Sequence, residues 1–159
     1  MSGSARWVKS YSTTNLYLPT LTQLKNKTQD QPDMIKLTFC LHRKPGLTIE
    51  EFQDYWLNNH APLVKSHVKA LRIQRYVQAH SSDPAFSDAL RKPRAGDLNK
   101  APEIFDGVAQ LWFNSFEDMA SSSNDPAAIQ AGKALLEDEA KFIDLPRSPL
   151  WFSQEHEIF

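Results

Sequence analysis

The stretch Tyr55-Trp56-Leu57-Asn58-Asn59-His60-Ala61-Pro62-Leu63-Val64 sets one titratable imidazole among large aromatics where a helix must break. An unperturbed imidazole titrates at about pH 6.5, so a histidine in that position can give or take a proton near neutrality. His60 is therefore the leading catalytic candidate, as a general acid/base; its alternative use is to cap the broken helix by bonding a freed carbonyl. Tyr76 can donate a phenolic hydrogen bond to a ketone or enolate oxygen, or serve as a cross-strand packing residue. Asp106 can orient the imidazole or hold a substrate hydroxyl, or be an ordinary turn carboxylate ahead of Gly107. Trp56 and Trp112 are candidate substrate-binding walls, although aromatics at helix and strand spacing also serve as plain core.

The elements that must position these groups can be read from Met34 onward. Ile35, Leu37, Phe39 and Leu41 alternate as a half-buried strand. Lys44-Pro45-Gly46 turns the chain, and Thr48 with Glu51 forms a capping box flanked by Leu47 and Phe52, so a helix should start within a residue or two of Ile49. Its apolar stripe runs through Ile49, Phe52, Tyr55 and Trp56 and continues to His60. Pro62 lacks an amide hydrogen and its ring crowds the Asn58 carbonyl, so this helix should kink or end beside His60. A second helical piece is expected over 63–70. Strand two should follow, with Leu71, Ile73 and Val77 alternating against Arg72, Gln74, Tyr76 and Gln78.

Residues 81–105, with Pro84, Pro93, Gly96 and Pro102, read as a long polar connection of the kind used for lids. Strand three is expected over 107–113. Ser115 with Asp118, and Asp125 with Pro126, mark two helix starts, the second helix running to about Ile143. Pro146 and Pro149 stop it, and a last strand is expected over 150–158. The order strand, helix, strand, strand, helix, strand is the α+β, ferredoxin-like βαββαβ plan. Helices cover one face of such a sheet. With aromatics on both sides of the last two strands, the economical cover for the other face is a second copy of the chain, which predicts a homodimer.

Composition narrows the function classes. At 159 residues, 41% hydrophobic and 23% charged, one domain is expected. A net charge of −1 offers no basic surface for nucleic acid. Cys40 is the only cysteine, which excludes an internal disulfide and multi-cysteine metal sites. No apolar run reaches the roughly 20 residues that cross a bilayer, and the N-terminus lacks a secretory pattern, so no membrane association and a cytoplasmic location are expected. Residues 1–33 are polar and read as a flexible N-terminal extension, with 34–159 as the domain. His60 and His67 are seven apart, but Pro62 lies between them and spacing fixes no third ligand, so no metal is expected. Phosphate-binding, dinucleotide and serine-hydrolase signatures are absent, so no cofactor is expected either.

Together, Ile35-Lys36-Leu37-Thr38, Lys44 to Phe52, Tyr55-Trp56 through His60-Ala61-Pro62-Leu63-Val64, Asp106 to Phe113 and Asp138-Glu139-Ala140-Lys141-Phe142-Ile143-Asp144 resemble the EthD domain family over about 34–159. The resemblance implies the dimeric α+β barrel superfamily, in which two ferredoxin-like sheets close a barrel across the dimer and each subunit keeps an apolar pocket between sheet and helices. It also implies cofactor-free proton transfer on flat hydrophobic substrates, since fungal relatives are described as decarboxylases or dehydratases of aromatic polyketides. The expectation is a cofactor-independent lyase or isomerase of a small aromatic or polyketide-like molecule. The alternative is a non-catalytic protein that binds a hydrophobic metabolite or assists an oxygenase. Asp138, Glu139 and Asp144 match the family's acidic ending of the last helix, and read as a solvated helix face or a C-terminal turn outside the catalytic set.

Overall fold

The computed structural model describes residues 34–159; the expected N-terminal extension lies outside the described residues. Four strands, β1 (Ile35–Leu41), β2 (Arg75–His80), β3 (Gly107–Phe113) and β4 (Leu150–Ser153), form one antiparallel sheet in the order β2-β3-β1-β4. That order is the ferredoxin-like arrangement.

Alternation divides each strand between two faces. Leu37, Phe39 and Leu41 on β1 and Ala109, Leu111 and Phe113 on β3 face the helices, with Leu37 paired to Leu111 and Phe39 to Ala109. The intervening residues Lys36, Thr38, Gln110 and Trp112 therefore stand on the opposite face.

The helix α1 (Ile49–Tyr55) opens on the expected capping box: the Thr48 hydroxyl accepts from Glu51 N at 3.1 Å, and the Glu51 carboxylate accepts from Thr48 N at 2.8 Å. Pro62 does not end this helix. The chain widens into a π turn over Trp56–His60, closed by Ala61 N donating to Trp56 O, five residues back, and resumes as α2 (Ala61–His67). The extra residue per turn absorbs the donor that proline lacks. Leu57, Asn58 and Asn59 bulge to the exposed side, while Trp56 and His60 both remain buried.

Three expectations are corrected. Residues 84–95, expected as open connection, form α3 (Pro84–Ala95), with the Asp83 side chain capping Phe86 N at 2.9 Å and Gly96 ending it at φ 71°. No residue of α3 is buried. The alternation expected through strand two is broken: Ile73 and Tyr76, three residues apart, both pack toward the core, and the strand itself begins only at Arg75, after a turn in which Arg72 is left-handed, φ 57°. Tyr76, Gln78 and His80 thus face the helices and Val77 does not. The last strand stops at Ser153 instead of reaching residue 158.

The remaining helices, α4 (Phe116–Ser121) and α5 (Pro126–Phe142), start at the Ser115 and Asp125 caps. One core cluster joins Phe39, Leu41, Phe52, Trp56, Ala109, Phe142 and Ile143. Gly107 is required beside it, because a Cβ there would collide with the Trp56 ring.

Candidate active site

The π turn and α5 bring two groups together at the end of that core. His60 Nδ1 lies 2.8 Å from Asp138 Oδ2, and both side chains are buried. Asp138 Oδ1 accepts from Tyr55 Oη at 2.8 Å and from Lys141 Nζ at 2.9 Å. Burial pushes the Asp138 carboxyl up, but hydrogen bonds from His60, Lys141 and Tyr55 outweigh it and hold the group below the ordinary aspartate range. Burial lowers His60, against a smaller upward pull from Asp138.

Near neutral pH the pair is thus an aspartate and an uncharged imidazole. An ionised carboxylate only accepts, so the imidazole proton sits on Nδ1 and Nε2 carries a free lone pair. Nε2 has no hydrogen-bond partner among the described residues, and His60 lines an apolar cavity of about 300 Å³ between sheet and helices.

A second network sits in the same cavity. Trp56 Nε1 donates to Tyr76 Oη at 3.0 Å, and Gln78 Nε2 donates to the same oxygen at 2.9 Å and to Trp56 O at 3.0 Å. The Gln78 amide is oriented by His80 Nε2, 2.9 Å from its Oε1, and the His80 ring stacks on Trp56 with centroids 4.6 Å apart. Two donors occupy the acceptor positions of the Tyr76 oxygen, so its own hydrogen is the part left to offer a ligand. Burial raises the Tyr76 pKa, partly offset by these two donors, and keeps it a phenol.

His60, Tyr76 and Trp56 therefore share one cavity, whereas two other expected site residues do not join them. Asp106 does not orient the imidazole. Its carboxylate accepts from Arg43 N at 2.7 Å and pairs with the Arg43 guanidinium, fastening the turn after β1 to the approach to β3. Asp138 takes the orienting position instead. Trp112 does not line the cavity either, because β3 alternation turns it to the other sheet face. There it is buried beneath Lys36 and Arg75, and its indole donates to Glu155 at 2.6 Å.

The EthD domain pattern matches residues 44–146. The chain belongs to the EthD domain family. Relatives of this EthD domain include a dehydratase of Ustilaginoidea virens, 29% identical over 70% of this chain and 78% of that protein. A conidial pigment biosynthesis dehydratase of Metarhizium robertsii is 27% identical over 74% and 79%, and a decarboxylase of Claviceps purpurea is 30% identical over 70% and 76%. The fold matches an EthD-family protein of Bacillus halodurans with TM-score 0.50 and 16% identity, over 77% of this chain and 99% of that one. An EthD-like protein of Ralstonia eutropha also gives 0.50, at 20% identity over 78% and 93%.

Two of the three acidic residues read from sequence as a solvated face, Asp138 and Glu139, are at this EthD site. Ala128, Ala131, Leu135, Asp138 and Phe142 follow 3-4-3-4 spacing on α5, so Asp138 occupies a core position of the stripe. A carboxylate at such a position needs buried partners, and that was the available signal. Glu139, next along the helix, lines the cavity; desolvation and the neighbouring Asp138 charge push it up to about 7.

This shift predicts a pH-dependent stability difference. A folded-state pKa above the unfolded value makes the native state bind more protons between about pH 4.5 and 7, so Glu139's contribution is fully present below that window and lost as pH rises through it. Glu139→Gln should therefore melt higher than wild type at pH 8, by on the order of 1–3 kcal/mol, and nearly equally at pH 4.5. Equal melting differences at both pH values would show that Glu139 ionises freely. Among the described residues no group of three or more histidine, cysteine or acidic side chains could hold a metal, and no helix is long and apolar enough to cross a membrane.

Proposed function

We propose that the protein is a cofactor-independent lyase or isomerase acting on a small aromatic or polyketide-like ketone, with His60 as general base and acid. The carrying observation is the His60–Asp138 pair, 2.8 Å apart, with the free Nε2 in an apolar cavity. Nε2 takes a proton from a carbon next to a carbonyl while Asp138 holds Nδ1–H and stabilises the imidazolium. Tyr76 donates to the oxygen as it becomes an enolate, and Trp56 and Gln78, by donating to Tyr76, strengthen its hydrogen as a donor. The same enolate arises when a β-keto acid gives its carboxyl proton to His60 Nε2 and the carboxylate then loses carbon dioxide, and the imidazolium returns that proton to carbon. The naming of relatives as dehydratases and decarboxylases supports this shared intermediate.

Thermal shift with flat aromatic ketones tests the reading. 1-Tetralone at a hundred times its dissociation constant should stabilise the protein by about 2.7 kcal/mol, a rise of several degrees. Tyr76→Phe should weaken that shift while leaving the shift from tetralin, the same shape without the oxygen, in place. Binding without deuterium exchange next to the carbonyl in D2O would make the protein a non-catalytic metabolite binder.

The chain also forms a homodimer in this reading. Among the described residues no helix packs on the sheet face carrying Thr38, Val77, Gln110 and Trp151, and Trp151 is 47% exposed. Light scattering should report a dimer or a multiple of one, with an interface above roughly 1,000 Å². A folded monomer at micromolar concentration would rule it out.

A further inference from the structure

We infer that Glu139 is a second proton-carrying catalytic residue of the cavity, the general acid for loss of a hydroxyl group from a β-hydroxyketone. The inference rests on the His60 reading above and names the substrate class for it.

Glu139 lies on α5 beside Asp138, on the edge of the helix that lines the cavity with Gly132, Leu135 and Leu136. Its carboxyl makes no hydrogen bond or ion pair with any described residue. In an apolar setting an unpaired carboxyl is costly as a structural feature and useful as a proton reservoir. The titratable groups around it are His60 on the π turn, Tyr76 on β2 and Asp138 on its own helix; Glu139 and Tyr76 are close enough for the glutamate charge to raise the tyrosine. Desolvation and the Asp138 charge push Glu139 up to about 7, so it holds a proton well above the ordinary glutamate range, which suits a donor that must be recharged each turnover.

Three polar groups of the cavity, His60, Tyr76 and Glu139, then match three features of one substrate. His60 Nε2 meets an acidic C–H, Tyr76 meets the carbonyl oxygen, and Glu139 meets a leaving hydroxyl. Among the described residues no lysine or arginine lines the cavity to hold a substrate carboxylate, and the Asp138 charge lies beside it. In the reaction His60 removes the proton from the carbon between carbonyl and carbinol, giving an enolate hydrogen-bonded to Tyr76. The enolate electrons form the new C=C bond as the C–O bond breaks, and the departing oxygen takes the Glu139 proton and leaves as water. One proton then moves from the His60 imidazolium to the Glu139 carboxylate, restoring both groups.

Two probes separate this inference from the one beneath it. Deuterium exchange into 1-tetralone needs His60 and Tyr76 but no leaving-group acid, whereas conversion of 3-hydroxy-1-tetralone to 1-naphthol, followed by absorbance, needs all three. In Glu139→Gln the ratio of dehydration to exchange should fall at least about a hundredfold, the low end of general acid contributions. Glu139→Asp, a shorter acid, should recover part of it. His60→Ala should lose both reactions. An unchanged ratio in Glu139→Gln, or exchange without dehydration in the wild type, overturns the Glu139 inference and leaves the His60 reading standing. Absence of exchange in the wild type removes the His60 reading and this inference with it.

Discussion

Replacing His60 with alanine is expected to lower turnover by at least about a hundredfold while preserving the fold, because it deletes the imidazole that pairs with a buried carboxylate at the cavity. Asp138 keeps its bonds to Tyr55 and Lys141 in that variant, so no buried charge is stranded. His60→Gln should lose similar activity, since its amide can donate to Asp138 but cannot titrate. Turnover retained in His60→Gln but lost in His60→Ala would mean that the residue orients substrate without moving protons. Normal turnover in both variants, with a much lower melting temperature, would make His60 a structural residue of the π turn and end the catalytic assignment.

The second large effect is expected at Asp138, through a change of tautomer. In Asp138→Asn the amide must present its oxygen to one side and its NH2 to the other. Lys141 carries a positive charge toward Oδ1 and disfavours an NH2 there, so the oxygen turns to Lys141 and the NH2 to His60. Nδ1 must then accept, the imidazole proton moves to Nε2, and the atom facing the cavity can no longer act as a base. Turnover should fall by at least about a hundredfold. Asp138 pulls the imidazole pKa upward, so its removal should move the acidic limb of the pH–rate profile to lower pH. Nitrogen NMR of His60 reads the tautomer directly. Wild-type turnover with the proton still on Nδ1 would refute Asp138 as the positioning residue.

These effects hinge on a contact between residues 78 positions apart, and the two halves of it differed in how legible they were. His60 was visible because Pro62 and the aromatic stripe marked an irregular, apolar place. What the proline does there was not visible: a helix facing a missing donor can stop, kink or widen, and packing of Trp56 and His60 on the sheet selects the π turn that keeps both inside. Asp138 reads from sequence as solvated, because an acidic pair near a helix end usually is. Its core position on α5 could have been counted from the spacing, but its partners could not.

The same limit explains the other differences. Asp83-Pro84 carries the helix-opening signature of Asp125-Pro126, yet Pro93 and the polar composition of the segment hid a helix with no residue in the core. Trp112 was identifiable as a large aromatic in a strand, but the choice of face depends on a register that one side of the sheet imposes on the other.

By itself the sequence carried the family resemblance in its motifs, and it determined the local devices: the Thr48 capping box, the extent of β3, the start of α5 at Asp125-Pro126, and from their order the ferredoxin-like fold. Each depends on residues a few positions apart, where backbone sterics and short hydrogen bonds decide. Only the tertiary structure decided which carboxylate meets His60, that Tyr76 turns toward Trp56 and Gln78, and that Asp106 is spent on Arg43. Those pairings join separate elements, and their energies depend on burial and distance that exist only once the sheet has brought the elements together.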